Sequence, residues 1–173
     1  MKHNFKLSSV LVPLVKKNKQ YAILFIKRTN LVRHHKGEVS FPGGLLEKTD
    51  KNLKETVFRE VHEELGLSDK YIEIIGVLDD AITVTTNYLV RPYVGFLKNI
   101  DQLNPNAFEV ADIIYVPVSA LLNQKVHQEI IFINNAPKIL YTYFYDKISI
   151  WGATARILHN FITLLSSSLS RLT

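Results

Sequence analysis

The fold class that the sequence predicts is α+β, a single domain (1–173) built on a mixed β-sheet. Three observations lead there. β-rich runs open the chain, one helical stripe interrupts them from about 51 to 65, and more β-rich runs follow before an amphipathic stretch at 151–169. A length of 173 residues with 47% hydrophobic content fits one globular domain, with no repeat or interdomain linker.

Taken in order, SSVLVPLV (8–15) and YAILFIKR (21–28) flank a polar KKNKQ turn and read as a hairpin. RTNLVRHHKGE (28–38) is a basic loop, and VSFPGGLLE (39–47) gives two short extended pieces around Pro-Gly-Gly. Leu53, Val57, Val61 and Leu65 recur every four residues, so the next element is a helix. Thr49 and Asp50 are its N-cap candidates, and Gly66 ends it in the left-handed conformation. YIEIIGVLDD (71–80), ITVTT (82–86) and YLVRPYVGFL (88–97) read as strands, with Pro92 arguing for an edge or a bulge in the last. IIYVPV (113–118) is a strand and SALLNQ (119–124) a short helix. VHQEIIFIN and KILYTYFYD form a second hairpin across NNAP. Tyr141, Tyr143 and Tyr145 alternate as on a half-buried strand, a better fit than an adenine platform, and Trp151 is expected in the core.

Composition excludes several classes. There is no cysteine, hence no disulfide framework and no thiolate chemistry. The N-terminal apolar run is short and broken by Pro13, so no signal peptide is expected, and no run is long enough for a membrane span. The expected location is cytoplasmic. A net charge of +5 suits an anionic small ligand, and the basic residues are too scattered for a nucleic-acid platform.

The segment REVHEELG (59–66) raises the chemical question. Glu60, Glu63 and Glu64 stand at spacings that a helix brings together, and like charges there repel by a few tenths of a kcal/mol per pair. They also lie near the helix C-terminus, where the dipole disfavours anions. A solvated acidic face is one reading, with Glu55 and Glu63 each four residues from Arg59. A hard divalent cation held by oxygen ligands is the other. The preceding GEVSFPGG (37–44) favours the second, because a glycine turn feeding a carboxylate-bearing helix suits a metal–phosphate complex.

This stretch resembles the Nudix box. Arg59, Glu60, Val61, Glu63, Glu64, Gly66 and Leu67 match its closing segment at every fixed position. Gly44 lies fifteen residues before Arg59, one more than in the general motif, and Asp50 stands where the motif has Glu. Both departures resemble the coenzyme A diphosphatase subgroup. So does the spacing of Arg28-Thr29, Arg33, Gly37 and Phe41-Pro42-Gly43-Gly44, and so do FEVADIIYVPVSALL (108–122) and WGATARIL (151–158).

The resemblance implies a Nudix-type α/β/α sandwich with a loop–helix–loop metal site, and a hydrolase that splits coenzyme A (CoA) or its derivatives to 3′,5′-ADP and 4′-phosphopantetheine. It implies Mg2+ or Mn2+ as cofactor, with Glu60, Glu63, Glu64 and the Gly44 carbonyl as ligands and Arg59 orienting the glutamates. Three glutamates alone would repel a diphosphate, and a bound cation offsets that field and lowers the pKa of a coordinated water. Glu63 or Glu64 can take the proton from water, and Glu109 is a further candidate base. Arg28, Arg33 and Lys36 are candidates for the substrate phosphates. Adjacent His34 and His35 point apart in an extended loop and are not expected to bind metal. The expected partner is a small molecule, CoA or a related nucleotide, without nucleic acid or membrane and with a homodimer left open. Two other readings stand beside this one. One is a Nudix hydrolase of ADP-ribose, NADH or a nucleoside triphosphate. The other is a catalytically silent nucleotide-sensing module, against which the three retained glutamates argue.

Overall fold

The computed structural model describes residues 5–30, 37–83, 87–133 and 135–171. The opening hairpin joins β1 (Lys6–Lys17) to β2 (Gln20–Arg28), in register from Leu14 opposite Ile23 to Lys17 opposite Gln20. Its two-residue turn holds Asn18 and Lys19 at φ 50° and 63°, the mirror-image turn that matches strand twist. Short strands β3 (Val39–Ser40) and β4 (Gly43–Leu45) follow, then helix α1 (Leu53–Leu65). Next come β5 (Ile72–Val77), β6 (Ala81–Ile82), β7 (Tyr88–Leu97), β8 (Val110–Pro117) and the short helix α2 (Val118–Asn123). A hairpin of β9 (His127–Ile133) and β10 (Ala136–Tyr145), strand β11 (Ile148–Ile150) and helix α3 (Gly152–Leu169) complete the chain.

The main sheet runs β3-β2-β1-β7-β5, with β4 also beside β1, β6 beside β7 and β8 beside β2. It is mixed, because β1 and β7 are parallel while the other pairs are antiparallel. β11-β10-β9 form a separate three-stranded sheet.

The uninterrupted apolar runs of β1 and β2 follow from burial on both faces. Val12, Leu14, Ile23 and Phe25 meet α2, α3 and β10 on one side. Leu11, Val15, Leu24 and Ile26 meet Val57, Val61 and Leu65 of α1 on the other. The result is the α/β/α sandwich with a mixed sheet that the sequence led us to expect.

Four local expectations are corrected. The N-cap of α1 is Asn52, whose side chain accepts from the Lys54 and Glu55 amides at 3.0 and 3.1 Å; Asp50 is drawn away by Arg59. Pro92 lies in the interior strand β7, where β5 has ended and β6 has not begun. Its carbonyl accepts from Leu78 on that side, and the amide it lacks would point into the same gap. Trp151 is 49% exposed, because it occupies the extended position that starts α3. Of ITVTT, Ile82 is in β6, Thr83 is not in a strand, and 84–86 lie outside the described residues. Strand β11 was not expected. The tyrosines behave as read: Tyr143 is buried, and Tyr141 and Tyr145 pack on the same core.

Candidate active site

Helix α1 presents its apolar stripe to the sheet and its glutamates to one flank. Val57, Val61 and Leu65 are fully buried, which fixes the rotation of the helix. Gly66 closes it at φ 65°, as expected, with its amide on the His62 carbonyl. That rotation places Glu64 beneath β4, 1% exposed, Glu60 beside Gly44, and Glu63 outward.

Two arginines hold these carboxylates. Arg59 grips Asp50 with Nε and Nη2, both at 3.0 Å, and donates from Nη1 to Glu60 at 2.8 Å and Glu63 at 3.0 Å. Its Nη2 also reaches the Leu45 carbonyl. The two-pronged contact makes Asp50 the anchor of Arg59. Glu55 is not on Arg59; it pairs with Lys51 instead. Arg28, at the end of β2, donates from Nη1 to Glu64 Oε1 at 3.1 Å, and the Gly43 amide donates to Oε2 at 3.0 Å.

The glycines are required sterically. Gly43 adopts φ 151°, and a Cβ on it would lie 2.3 Å from the Ser9 carbonyl. A Cβ on Gly44 would lie 2.1 Å from Glu60 Oε1, so only glycine lets that carboxylate approach the backbone.

A loop before β8 closes the far side. The Asn104 and Asn106 amides donate to the Leu65 and Glu64 carbonyls, and the Thr29 amide donates to the Glu109 carbonyl. Asn106 Nδ2 reaches Glu109 Oε1 at 3.3 Å. The Glu109 carboxylate is near enough to raise the pKa of both Glu60 and Glu64. Neither Asn106 nor the anchoring role of Asp50 was foreseen. Asn-Pro-Asn (104–106) is an ordinary turn signal, and Asp50 was read as a cap.

The electrostatics are those of an acidic site short of cations. Burial pushes the Glu64 carboxyl up to about 8, against the pull of Arg28 and the Gly43 amide. Burial also raises Glu60, against Arg59. The Arg59 hydrogen bonds hold Asp50 down at about 2. Among the described residues, the cations paired with this acidic cluster are Arg28, on Glu64, and Arg59, on Asp50, Glu60 and Glu63. Among the described residues no three Asp, Glu or His side chains converge as a ready cation cage. The donor set nevertheless fits a hard divalent ion: among the described residues, carboxylate oxygens outnumber the arginines that hold them, and the Glu60 carboxylate lies close against the Gly44 backbone. Arg33 and Lys36 lie outside the described residues.

The comparisons agree with this geometry. The NUDIX domain model matches residues 6–133. The uncharacterized Nudix hydrolase NudL of Photorhabdus laumondii is 34% identical over 157 residues, covering 90% of this chain and 83% of that protein. The peroxisomal coenzyme A diphosphatase of Mus musculus is 35% identical over 121 residues, covering 70% of this chain and 51% of that protein. Among solved structures, a MutT/nudix family protein from Enterococcus faecalis superposes with a TM-score of 0.60 at 13% identity, over 94% of this chain and 63% of that one. A C. elegans Ap4A hydrolase gives a TM-score of 0.55 at 15% identity, over 68% of this chain and 83% of that one. These likenesses show the fold. The matched domain, and the arginine-anchored glutamates inside it, place the chain in the Nudix family, as a hydrolase of diphosphate anhydrides.

Proposed function

We propose that this Nudix hydrolase cleaves the diphosphate of coenzyme A or a CoA derivative, giving 3′,5′-ADP and a 4′-phosphopantetheine product. One observation carries the reading. The segment 28–44, whose spacing resembles the coenzyme A diphosphatases, begins and ends on the same buried carboxylate, with Arg28 on one Glu64 oxygen and Gly43 on the other. The basic loop within it is therefore tied at both ends to the glutamate helix. The similarity to the mouse coenzyme A diphosphatase supports the same substrate.

In this reading Glu60, Glu63, Glu64 and the Gly44 carbonyl hold Mg2+ or Mn2+. The cation, when bound, supplies Lewis-acid stabilisation of the phosphoryl charge and lowers the pKa of water. Arg59 keeps Glu60 and Glu63 in place, since it touches both while locked on Asp50. Glu64 is kept in place by Arg28 and Gly43. Arg33 and Lys36 neutralise substrate phosphates. A water oxygen forms the new bond to one phosphorus, in line with the anhydride oxygen that leaves. A carboxylate at the site, Glu63, Glu64 or Glu109, takes the proton from that water.

The test is hydrolysis of CoA, ADP-ribose and NADH side by side with magnesium, with products separated by chromatography and a Glu64→Gln variant alongside. Release of 3′,5′-ADP from CoA, lost in the variant, is the expected result. Turnover of ADP-ribose or NADH without CoA would overturn the substrate and leave the family intact.

A further inference from the structure

The carboxylates of the site differ in what they are bound to. Asp50, Glu60 and Glu63 share Arg59, and the two oxygens of Glu64 are taken by Arg28 and the Gly43 amide. Glu109, half-buried, meets no arginine or lysine among the described residues. Its Oε1 accepts from Asn106 Nδ2, and its Oε2 has no donor among them. Asn106 ties this carboxylate to the glutamate helix. Its amide donates to the Glu64 carbonyl at 3.0 Å, and its carbonyl accepts from the Glu109 and Val110 amides at 2.9 and 2.8 Å. Its Oδ1 accepts from the Phe108 amide at 3.1 Å in an Asx turn, so the end of the side chain that meets Glu109 is the donor Nδ2. Thr29 holds the same segment from the other side, with its amide on the Glu109 carbonyl at 2.9 Å and its Oγ1 on the Phe108 carbonyl at 2.6 Å. Thr29 follows Arg28, which holds Glu64, so Glu109 is fixed to Glu64 from two directions.

We infer that Asn106 is a positioning residue for the hydrolysis: it holds Glu109 Oε1 so that Oε2 takes the proton of the attacking water. The assignment follows from which oxygens are open. A proton acceptor needs a lone pair that no cation or amide already holds. Glu64 has both oxygens occupied, and Glu60 and Glu63 are bound to Arg59. Glu109 also stands close enough to Glu60 and Glu64 for its charge to act on both. In the step, the water oxygen bonds to phosphorus and the bond from phosphorus to the anhydride oxygen breaks, its electron pair leaving on that oxygen. The water proton passes to Glu109 Oε2. The Asn106–Glu109 contact, 3.3 Å here, is expected to tighten when substrate is bound. The role rests on the hydrolase class of the chain, not on coenzyme A as the substrate.

Asn106→Asp isolates the contact, because it keeps an acceptor for the Phe108 amide and removes the donor to Glu109. Its kcat is expected to fall roughly tenfold, the value of one hydrogen bond to a charged group, with KM and the melting temperature close to those of the parent. Glu109→Gln is expected to lower kcat by about a hundredfold or more. Placed on top of Glu109→Gln, Asn106→Asp is expected to cost nothing further, as for two residues that act as a unit. If Asn106→Asp lowers the melting temperature, Asn106→Ser replaces it, since the hydroxyl still accepts from the Phe108 amide but is too short to reach Glu109. The kinetics are measured on whichever of CoA, ADP-ribose and NADH the parent cleaves, so failure of the CoA reading leaves this comparison standing. An unchanged kcat in either single variant overturns the inference. So does an equal loss from Asn106→Asp in both backgrounds, or a loss confined to KM, which would make Asn106 a substrate contact.

Discussion

At the residue scale, the site depends on contacts that leave no room for an added atom. Gly44→Ala would drive a Cβ into Glu60 Oε1, the movable tip of a side chain. The carboxylate shifts while the backbone stays. We expect a stability change below about 1 kcal/mol, with kcat/KM lower by about a hundredfold; denaturation and kinetics on the same preparation separate the two. Asp50 gives a pH signature. Its folded pKa, about 2, lies below its unfolded value, so its contribution is complete above about pH 4 and is lost as pH falls towards 2. Asp50→Asn is therefore expected to be less stable than the parent at neutral pH, with the urea midpoints converging in acid. For Arg33, replacement by Ala is expected to raise KM for CoA several-fold more than for dephospho-CoA if this side chain reads the 3′-phosphate. Equal effects on both substrates would refute that role. These residues differ in how legible they were. Glu60, Glu63 and Glu64 stood out because their spacing is costly without a partner. Arg28 on Glu64 joins positions 36 residues apart, a contact that local pattern does not carry.

At the element scale, α1 has to start and stop at fixed places for its glutamates to face one flank. Removing the start signal with Asn52→Ala is expected to cost about 1 kcal/mol, read as a lower denaturation midpoint. The stop was legible, because Gly66 is the residue that a left-handed cap requires. The start was not, because Thr49, Asp50 and Asn52 are all competent caps, and Asp50 is engaged by Arg59, Thr56 and the Glu47 amide instead. Pro92 misled for a related reason. Its missing amide suggested an edge, but the gap between β5 and β6 accommodates it inside the sheet. Trp151 looked like core by residue type, yet its place at the head of α3 leaves it half exposed.

At the scale of the whole molecule, the uninterrupted apolar runs of β1 and β2 made a buried hairpin legible, while the β1–β7 pairing was not, since nothing local marks it. The two cores also hold the site with or without a cation. Arg28 and Arg59 already neutralise part of the acidic cluster, so chelation is expected to abolish hydrolysis and leave the fold intact. Magnesium at a hundredfold excess over Kd is expected to add about 2.7 kcal/mol, raising the melting temperature by roughly 5–10 °C. Calorimetry with and without the ion checks this, and Glu60→Gln is expected to blunt the rise.

The parallel pairing of β1 with β7 has a consequence for how the chain is made. β1 spans Lys6–Lys17, yet its neighbour is Tyr88–Leu97, and the loop that clamps the glutamate helix runs to Glu109. During synthesis the first strand must wait for some eighty residues before that neighbour leaves the ribosome. A nascent chain that stalls before Asn104 carries all three box glutamates but lacks the Asn104 and Asn106 amides that bond to the end of their helix.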